Sequence, residues 1–571
     1  MFGSRLIYIP KEDNMKIRHA LCFVLGLALI LWCSLPTQAI APEKPRSKTF
    51  EENIPVKPGQ TLFLDDNKAD ITVVGTDQNE VQAKVIFYIK EMVLVKGSNE
   101  AFIEQFMERV KLILEPYHGG YRMKLIDPRD EVFKRYPRRE RIFGIFEVRD
   151  RISVSISTDI QIKVPQQMDL KIENKYGDID ISDVQGDITI SNKSGEVLLE
   201  DCGGKLELQN SYDRIDVIDF DGPVNIRNSS GEVYLSRIGG ATDISNSFKR
   251  VEIEEVGGTL TVDSSSSPVT VKTVQGDCWI TTSYKDVEVR DIQGKLDVKA
   301  PSCPVTVEKV LQDCFIENSY KPVKVVNIKG FLTIKSRSSS VNAKGIGEGA
   351  NIRSSYKDIN LEGIGGAVKI DASSAPVTVK DIAGDVTIKT SYKEVIAEDI
   401  EGALNIDAGS SPVTARNIKA DTTIVSSYKP IQVWRVGGDL EVKGPSCSVS
   451  GEDISGDVEI TNSYKYVTLK QTNGSIVVKG SSSPIEVTRI SNLPEEGTIE
   501  LITTYKQILL ALPREADAVI SAFSRYGKIE SDFPVYLKDG KGQDIEAHLG
   551  EGKFKVVLQT SGNITLKKDS P

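Results

Sequence analysis

The sequence predicts an all-β fold: a parallel β-solenoid with 18-residue coils and a small α+β cap at its N-terminal end. Three observations predict it. A Ser-Tyr-Lys motif recurs every 36 residues, turns of the Ser-Ser-Pro type lie halfway between successive copies, and short apolar stretches follow one another every 18 residues. The full repeat is therefore two 18-residue coils with different corners.

The apolar stretches keep one register over most of the chain. Their first apolar residue, called the anchor below, recurs 18 times without an insertion. The anchors are Ile179, Val197, Ile215, Val233, Val251, Val269, Val287, Val305, Val323, Val341, Ile359, Val377, Val395, Val413, Ile431, Val449, Val467 and Ile485. Further apolar positions follow at +2, +5, +9 and +11, and glycine is frequent at +7. This spacing does not fit a helix and is typical of short strands with one buried face.

The same spacing predicts how the coils stack. Identical columns stacked at about 4.8 Å per coil would extend the 18 coils over roughly 85 Å. Five apolar side chains per coil would fill the cross-section and leave no lumen for a ligand. We expect the glycine at +7 to allow a tight bend, and a proline before an anchor fits the start of a strand. Right-handed connections are the rule between parallel strands, so a right-handed β-helix is predicted.

The N-terminus has the features of an export signal. Residues 1–41 are predicted to be an upstream extension followed by a signal peptide that starts at Met15, contains the apolar run Ala20 to Leu35 and is cleaved after Ala39. Cys33 raises a lipoprotein alternative, but the bulky residue before it does not suit that motif. Apart from the signal peptide, no apolar run is long enough to cross a bilayer. We expect an exported protein, periplasmic, cell-surface or extracellular, with no transmembrane segment in the mature chain.

Residues 42–165 are predicted to form a strand and helix cap, because the open sheet ends of a solenoid need covering. Thr61 to Ile89 alternates like strands, and Glu100 to Glu115 carries one apolar face of a helix. The basic segment from Lys134 to Arg141 could contact an anionic glycan, lipid headgroups or a protein. Such a segment is more often a solvated loop.

The remaining chain divides into a regular and an irregular part. Residues 166–492 are predicted to form the regular solenoid, and residues 493–571 its C-terminal end and cap. The second part begins with a five-residue insertion, Leu493 to Gly497, after which the strand pattern resumes at Ile508.

Composition argues against a catalytic or metal site. Histidine occurs only at His19, His118 and His548, so the chain has too few histidines for a histidine-based catalytic triad or metal centre to be expected. The net charge of -10 argues against nucleic acid as a partner. We expect no enzymatic activity, no cofactor and no metal.

Aspartates and cysteines recur at fixed places in the repeat. The aspartates that follow the glycine position are interpreted as turn residues and not as a general acid and base pair: Asp277, Asp313, Asp385, Asp439 and Asp457. The cysteines of the array are interpreted as buried or corner-filling thiols: Cys202, Cys278, Cys303, Cys314 and Cys447.

The most suggestive column lies three residues before each anchor. It alternates an aromatic residue with serine, and lysine follows the aromatic residue in the downstream coils. The candidate binding residues, called the Tyr/Lys stripe below, are Tyr284, Lys285, Tyr320, Lys321, Tyr356, Lys357, Tyr392, Lys393, Tyr428, Lys429, Tyr464 and Lys465. One interpretation is that each ring covers its small neighbour and tiles a corner. The other is an exposed stripe that repeats every ~9.6 Å, on which sugar rings could stack and acidic groups could pair with lysine.

Several short segments resemble the bacterial "putative adhesin" family of β-solenoid domains. They are Ile160 to Pro165 leading into Glu173 to Ile179, the Gly-Asp-x-x-Ile turns, and the closing segment Thr560 to Leu566. The resemblance covers roughly residues 50–570 and implies a β-solenoid fold and, from the family's name, adhesion. This chain differs by its long regular array and by the insertion near residues 97–142.

Two functions of different class follow from these observations. The first is a non-enzymatic, adhesin-like binding protein that contacts a cell-envelope or extracellular polysaccharide or protein. The alternative is a structural rod of the cell envelope with no small-molecule ligand.

Overall fold

The structure is a computed structural model. It describes residues 46–57, 59–93, 99–128, 140–142, 146–148, 153–490, 495–538 and 540–569. The predicted signal peptide lies outside the described residues, and so does the basic segment up to residue 139. The chain from Ser47 onwards forms one compact unit. Within the described residues, no helix is both long and apolar enough to cross a membrane.

The N-terminal region contains strands and one helix. Strands β1 to β4 are Arg46–Pro55, Thr61–Asp65, Ala69–Thr76 and Glu80–Val93, and helix α1 is Asn99–Arg109. Strands β5 to β9 are Lys111–Tyr117, Gly120–Ile126, Glu140–Ile142, Phe146–Val148 and Ser153–Pro165.

The regular array follows, with two strands in each coil. In chain order, β10 to β45 are Asp169–Glu173, Ile179–Ser182, Ile188–Ser191, Val197–Gly203, Leu206–Gln209, Ile215–Asp221, Val224–Arg227, Val233–Ile238, Thr242–Asn246, Val251–Val256, Leu260–Ser264, Val269–Val274, Cys278–Thr281, Val287–Ile292, Leu296–Lys299, Val305–Val310, Cys314–Glu317, Val323–Ile328, Phe331–Lys335, Val341–Ile346, Gly349–Arg353, Ile359–Ile364, Ala367–Asp371, Val377–Ile382, Val386–Lys389, Val395–Ile400, Leu404–Asp407, Val413–Ile418, Thr422–Val425, Ile431–Val436, Leu440–Gly444, Val449–Ile454, Val458–Asn462, Val467–Thr472, Ile476–Gly480 and Ile485–Thr488. The C-terminal strands β46 to β53 are Thr498–Ile502, Ile508–Leu512, Ala518–Ser524, Ile529–Ser531, Tyr536–Leu537, Asp544–Leu549, Phe554–Thr560 and Ile564–Lys568.

Each coil contributes one strand to each of two parallel sheets. The strand that starts at an anchor pairs with the anchor strand of the next coil, as Val287 does with Val305. The strand at +9 to +12 pairs in the same way in the second sheet, as Leu296 does with Cys314. The inward positions of the two sheets form one continuous buried core. The predicted parallel β-solenoid with 18-residue coils is confirmed, while its right-handed winding stays a prediction.

In most coils the residue at +4, near the end of the anchor strand, has a left-handed backbone that the apolar pattern does not predict. Asp291, Asn327 and Asp381 occupy +4 with φ values of 55°, 60° and 55°. Asp and Asn enter this left-handed region more readily than other side chains do. The chain then bends at +6 and +7, as it does at Gln293 and Gly294, so the bend lies at the glycine as expected. A Cβ on Gly294 would lie 2.5 Å from the carbonyl oxygen of Gly276 in the preceding coil. Glycine therefore lets the turns of neighbouring coils approach closely.

The helix in the N-terminal region is shorter than predicted. It ends at Arg109, and residues Lys111–Tyr117 form strand β5, which pairs antiparallel with β6. The turn between them has positive φ at His118 and Gly119, 45° and 83°, as a tight hairpin requires. Leu112 and Leu114 pack on the core from a strand, and the apolar spacing in this segment fits both kinds of element.

At the N-terminal end, the first coil of the chain is not the outermost one. Strands β2 and β3 pair with β10 and β11 on the side of the array. On their other side they pair in parallel with β6 and β9, which come later in the chain. Strand β4 then pairs antiparallel with β9 and covers its edge. The first coil is thus enclosed between two others.

The C-terminal end is built in the same way. Ile508 pairs with Ile485, 23 residues earlier, so the predicted five-residue insertion is confirmed. The last strands of the chain, β52 and β53, pair with β46 and β47 on one side and with β48 and β49 on the other. Strand β51 pairs antiparallel with β48 and covers the outer edge. The last coil of the chain therefore also lies one layer inside the end.

Candidate binding stripe

The corner between the two sheets has two alternating forms, and a buried hydrogen bond distinguishes them. In the Tyr-type corner, the residue at +13 is buried and donates to the carbonyl oxygen of a residue in the preceding corner. Asn318 Nδ2 donates to Cys303 O at 2.7 Å, and Ser354 Oγ donates to Ser339 O at 2.9 Å. The same bond recurs from Thr282, Thr390, Ser426 and Asn462 at 3.4, 3.1, 2.9 and 2.6 Å.

In the Ser-type corner, a different residue fills the interior. The residue two positions before the anchor turns inward and is fully buried, as Cys303, Ala375 and Cys447 show. Its N–H donates to the carbonyl oxygen of the +13 residue, as Ala375 N does to Ala372 O at 2.8 Å. That +13 residue is small, alanine or glycine in most Ser-type corners and serine at Ser264 and Ser336, so there is room for the inward turn.

The alternation of the corners decides where lysine points. In a Tyr-type corner the interior is filled by the +13 side chain, so the residue two positions before the anchor stays outside. That residue is lysine throughout the Tyr/Lys stripe, and it is exposed in all six coils. The two-coil period of the sequence therefore follows from packing inside the corner. Because of this packing, every second corner exposes a lysine next to an aromatic residue.

Most of each tyrosine ring faces solvent. The exposed fractions of Tyr284, Tyr320, Tyr356, Tyr392, Tyr428 and Tyr464 are 69%, 61%, 68%, 72%, 72% and 66%. A ring that tiled its serine neighbour would be mostly covered. The exposure favours an exposed stripe over a tiled corner, while a binding role for these residues stays a prediction.

The lysines of the Tyr/Lys stripe differ from the cations on the sheet faces. On the faces, cations pair with carboxylates of a neighbouring coil, as Lys344 does with Glu362 at 2.9 Å. Among the described residues, no carboxylate oxygen lies within 4.0 Å of any lysine of the stripe. This holds even where an acidic residue follows the lysine directly, at Asp286, Asp358 and Glu394. The ammonium groups of the stripe are available to a ligand.

The stripe extends beyond the residues that the sequence pattern singled out. Upstream, Phe248 is 63% exposed and is followed by Lys249. Downstream, Tyr505 is 70% exposed and is followed by Lys506, and the motif Thr-Tyr-Lys could have identified this pair despite the insertion. Tyr526 is 72% exposed and lies three residues before strand β49, which is paired with β53.

The cysteines and aspartates have the structural roles predicted for them. Cys202, Cys278, Cys303, Cys314 and Cys447 are free and buried. Burial raises the pKa of the Cys202 thiol to about 11, which disfavours the reactive thiolate. Asp277 Oδ1 accepts the backbone N–H of Lys295 in the next coil at 2.8 Å, and Asp385 accepts that of Ala403 at 2.8 Å. Within the described residues, no cluster of His, Cys, Asp and Glu is placed to hold a metal ion.

Two shallow pockets lie over the opposite turn of the coils. One has a volume of about 1030 Å³ and lies over Gly345, Gly347, Gly363 and Gly365. The other, of about 530 Å³, includes Asp399, Glu401 and Arg435 among its lining residues. The acidic groups there are exposed or half-buried.

Comparison with known proteins adds little to this description. No family model matches the chain, and no curated protein matches it. A solved structure from Clostridium sporogenes, named a "putative cell adhesion protein", matches at 7% identity with a TM-score of 0.16. The match covers 46% of this chain and 99% of the other, and at this level it carries no inference about function.

Proposed function

We propose that the protein is an exported, non-enzymatic β-solenoid that binds a polymer of the cell envelope or the extracellular space along the Tyr/Lys stripe. The observation that carries the proposal is the row of exposed tyrosine rings, each followed by a lysine without a carboxylate partner among the described residues. Aromatic faces stack on sugar rings, and ammonium groups pair with acidic groups. A row of identical pairs on a rigid support suits a repeating ligand.

The absence of enzymatic activity is part of the proposal. Most glycoside hydrolases use two carboxyl groups held about 5–9.5 Å apart across a bound sugar. In the regular array, the recurring aspartates instead accept backbone N–H groups from the next coil. These carboxylates stabilise the turns and are half-buried or exposed.

A structural rod remains the second candidate, and one observation favours it. Each terminal coil is enclosed between two other coils, and antiparallel strands cover the outer edges of β9 and β48. Such an arrangement protects a stack of strands from fraying and from end-to-end association. It would serve a spacer as well as a binding protein, so the two candidates differ only in whether the Tyr/Lys stripe has a ligand.

The test is a pull-down of glycan and cell-wall fractions with the mature chain, beginning at Ile40. We expect retention by at least one fraction, and at least tenfold weaker retention of the variant with Tyr320→Ser, Tyr356→Ser and Tyr392→Ser. The matched control is Trp279→Ser with Phe315→Ser, which removes aromatic rings from the outer face of the second sheet. Thermal unfolding of all three proteins separates binding from stability.

Two outcomes would contradict the proposal. If no envelope fraction retains the wild-type chain, the protein is better described as a structural rod. If the tyrosine variant loses stability while its retention is unchanged, the rings stabilise the corner and do not bind a ligand.

A further inference from the structure

We propose that the ligand of the Tyr/Lys stripe is an extended, anionic polysaccharide that carries one acidic group per disaccharide. This inference rests on the proposed function and names the chemical class of its ligand. It depends on three properties of the stripe: the distance between successive pairs, the number of charges per step, and the length of the row.

The distance between pairs matches two sugars of an extended chain. Successive Tyr-type corners lie two coils apart, which corresponds to about 9.6 Å for parallel strands. An extended β-linked polysaccharide repeats every two sugars over nearly the same distance, because neighbouring sugars are turned over relative to each other. Every second sugar could therefore present the same face to successive rings, Tyr320, Tyr356 and Tyr392 among them.

The charges favour one acidic group per repeat. Each Tyr-type corner of the Tyr/Lys stripe offers one lysine without a carboxylate partner among the described residues, whereas the equivalent residue of the Ser-type corners between them is buried, as Cys303, Ala375 and Cys447 are. A polymer with a charge on every sugar would place half of its acidic groups beside corners that offer no cation at this position. The protein as a whole has a net charge of -10, so it would repel an anionic polymer elsewhere on its surface. The single line of lysines would then bind the polymer in one place, along the Tyr/Lys stripe.

The length of the row sets how binding should depend on ligand size. Eight consecutive coils of the Tyr type carry an aromatic residue followed by lysine, from Phe248 and Lys249 to Tyr505 and Lys506. Each pair is a weak site, and a longer chain gains affinity because the second and later contacts are intramolecular. Affinity should rise with chain length up to about eight disaccharides and then level off.

Hyaluronan fragments of defined length are a suitable probe, because the polymer carries one carboxylate per disaccharide. Isothermal titration at low ionic strength with fragments of two, four, eight and twelve disaccharides should show Kd falling at least tenfold between two and eight, with little further change. Chito-oligosaccharides of equal length supply a neutral polymer, and poly-glutamate supplies charge without sugar rings. We expect both to bind at least tenfold more weakly than hyaluronan, and hyaluronan binding to weaken as salt is added.

A lysine variant tests the stripe itself. Lys321→Gln, Lys357→Gln and Lys393→Gln together should weaken hyaluronan binding at least tenfold. The matched control changes three exposed lysines away from the stripe, by Lys329→Gln, Lys380→Gln and Lys419→Gln, and should bind as the wild type does. Circular dichroism of both variants confirms that the fold is retained.

The remaining outcomes separate this inference from the proposed function. Equal binding of chito-oligosaccharides would overturn the acidic requirement, and equal binding of poly-glutamate would show charge attraction alone. No dependence on fragment length, or no hyaluronan binding by a chain that an envelope fraction still retains in a tyrosine-dependent way, would overturn the ligand class and leave the proposed function standing.

Discussion

At the scale of single residues, Asn318 shows how a corner is determined. Its side-chain nitrogen donates to Cys303 O at 2.7 Å, and its oxygen accepts from Ser339 Oγ at 2.8 Å and from Tyr320 N at 3.1 Å. One buried amide therefore joins three successive corners and fixes the backbone under a ring of the Tyr/Lys stripe. The sequence shows which residue types recur at this column but not that they donate inward.

We expect Asn318→Ala to lower the free energy of unfolding by about 1–3 kcal/mol, because it leaves the buried Cys303 carbonyl without its side-chain donor. Equilibrium denaturation in urea measures the change. Asn351→Ala is the control: Asn351 points outward on the second sheet and should change stability by less than about 0.5 kcal/mol. Equal effects of both changes would show that the inward hydrogen bond has no special role.

At the scale of the elements, the sequence predicts the strands more fully than the bends. The 18-residue register and the five inward positions are visible in the apolar pattern, and the structure places them in two parallel sheets. The left-handed residue at +4 is not visible, because aspartate, lysine, arginine, asparagine, glutamine and glycine all occupy it. Helix α1 was predicted six residues too long because the apolar residues beyond Arg109 satisfy both a helix and a hairpin.

The left-handed backbone at +4 predicts a specific pattern of substitution at Asp381, which has φ 55° and is exposed. Asp381→Val should lower the free energy of unfolding by about 1–2 kcal/mol, since β-branched residues are strained in the left-handed region. Asp381→Gly should leave stability nearly unchanged, because Gly345 and Gly363 already occupy the same column. Thermal unfolding of the two variants checks this, and an equal loss of stability in both would mean that the aspartate side chain, and not the backbone, matters there.

At the scale of the whole molecule, the ends follow a rule that no local pattern reveals. The strand order in space, β47, β53 and then β49, differs from the order in the chain. It restores the alternation of the corners: Tyr505, Ser561 and Tyr526 follow one another in space, although two tyrosines follow one another in the chain. The 18-residue period of the sequence does not predict this order, because the period shows where each coil begins but not which coils are neighbours in space.

The enclosed terminal coil predicts the effect of a short truncation. Deleting residues 551–571 removes β52 and β53, which lie between β46 and β48 in one sheet and between β47 and β49 in the other. Strands β46 and β47 keep their partners β44 and β45 on the side of the array. Strands β48 and β49 lose their parallel partners, so the segment 513–550 should detach as a unit. In a repeat protein, each coil depends mainly on the coils beside it, so the loss should stay local.

Limited proteolysis followed by mass spectrometry measures this. In the truncated chain, residues 513–550 should be cleaved at least tenfold faster than in the full chain, with residues 166–490 protected equally in both. Deleting residues 513–571 instead is the control, since it leaves a single open end at β46 and β47 and no gap, and it should give a protected array of the same extent. If the segment 513–550 stays protected without the last coil, its own antiparallel pairing of β48 with β51 is sufficient to hold it in place, and the enclosed coil is not what closes the solenoid.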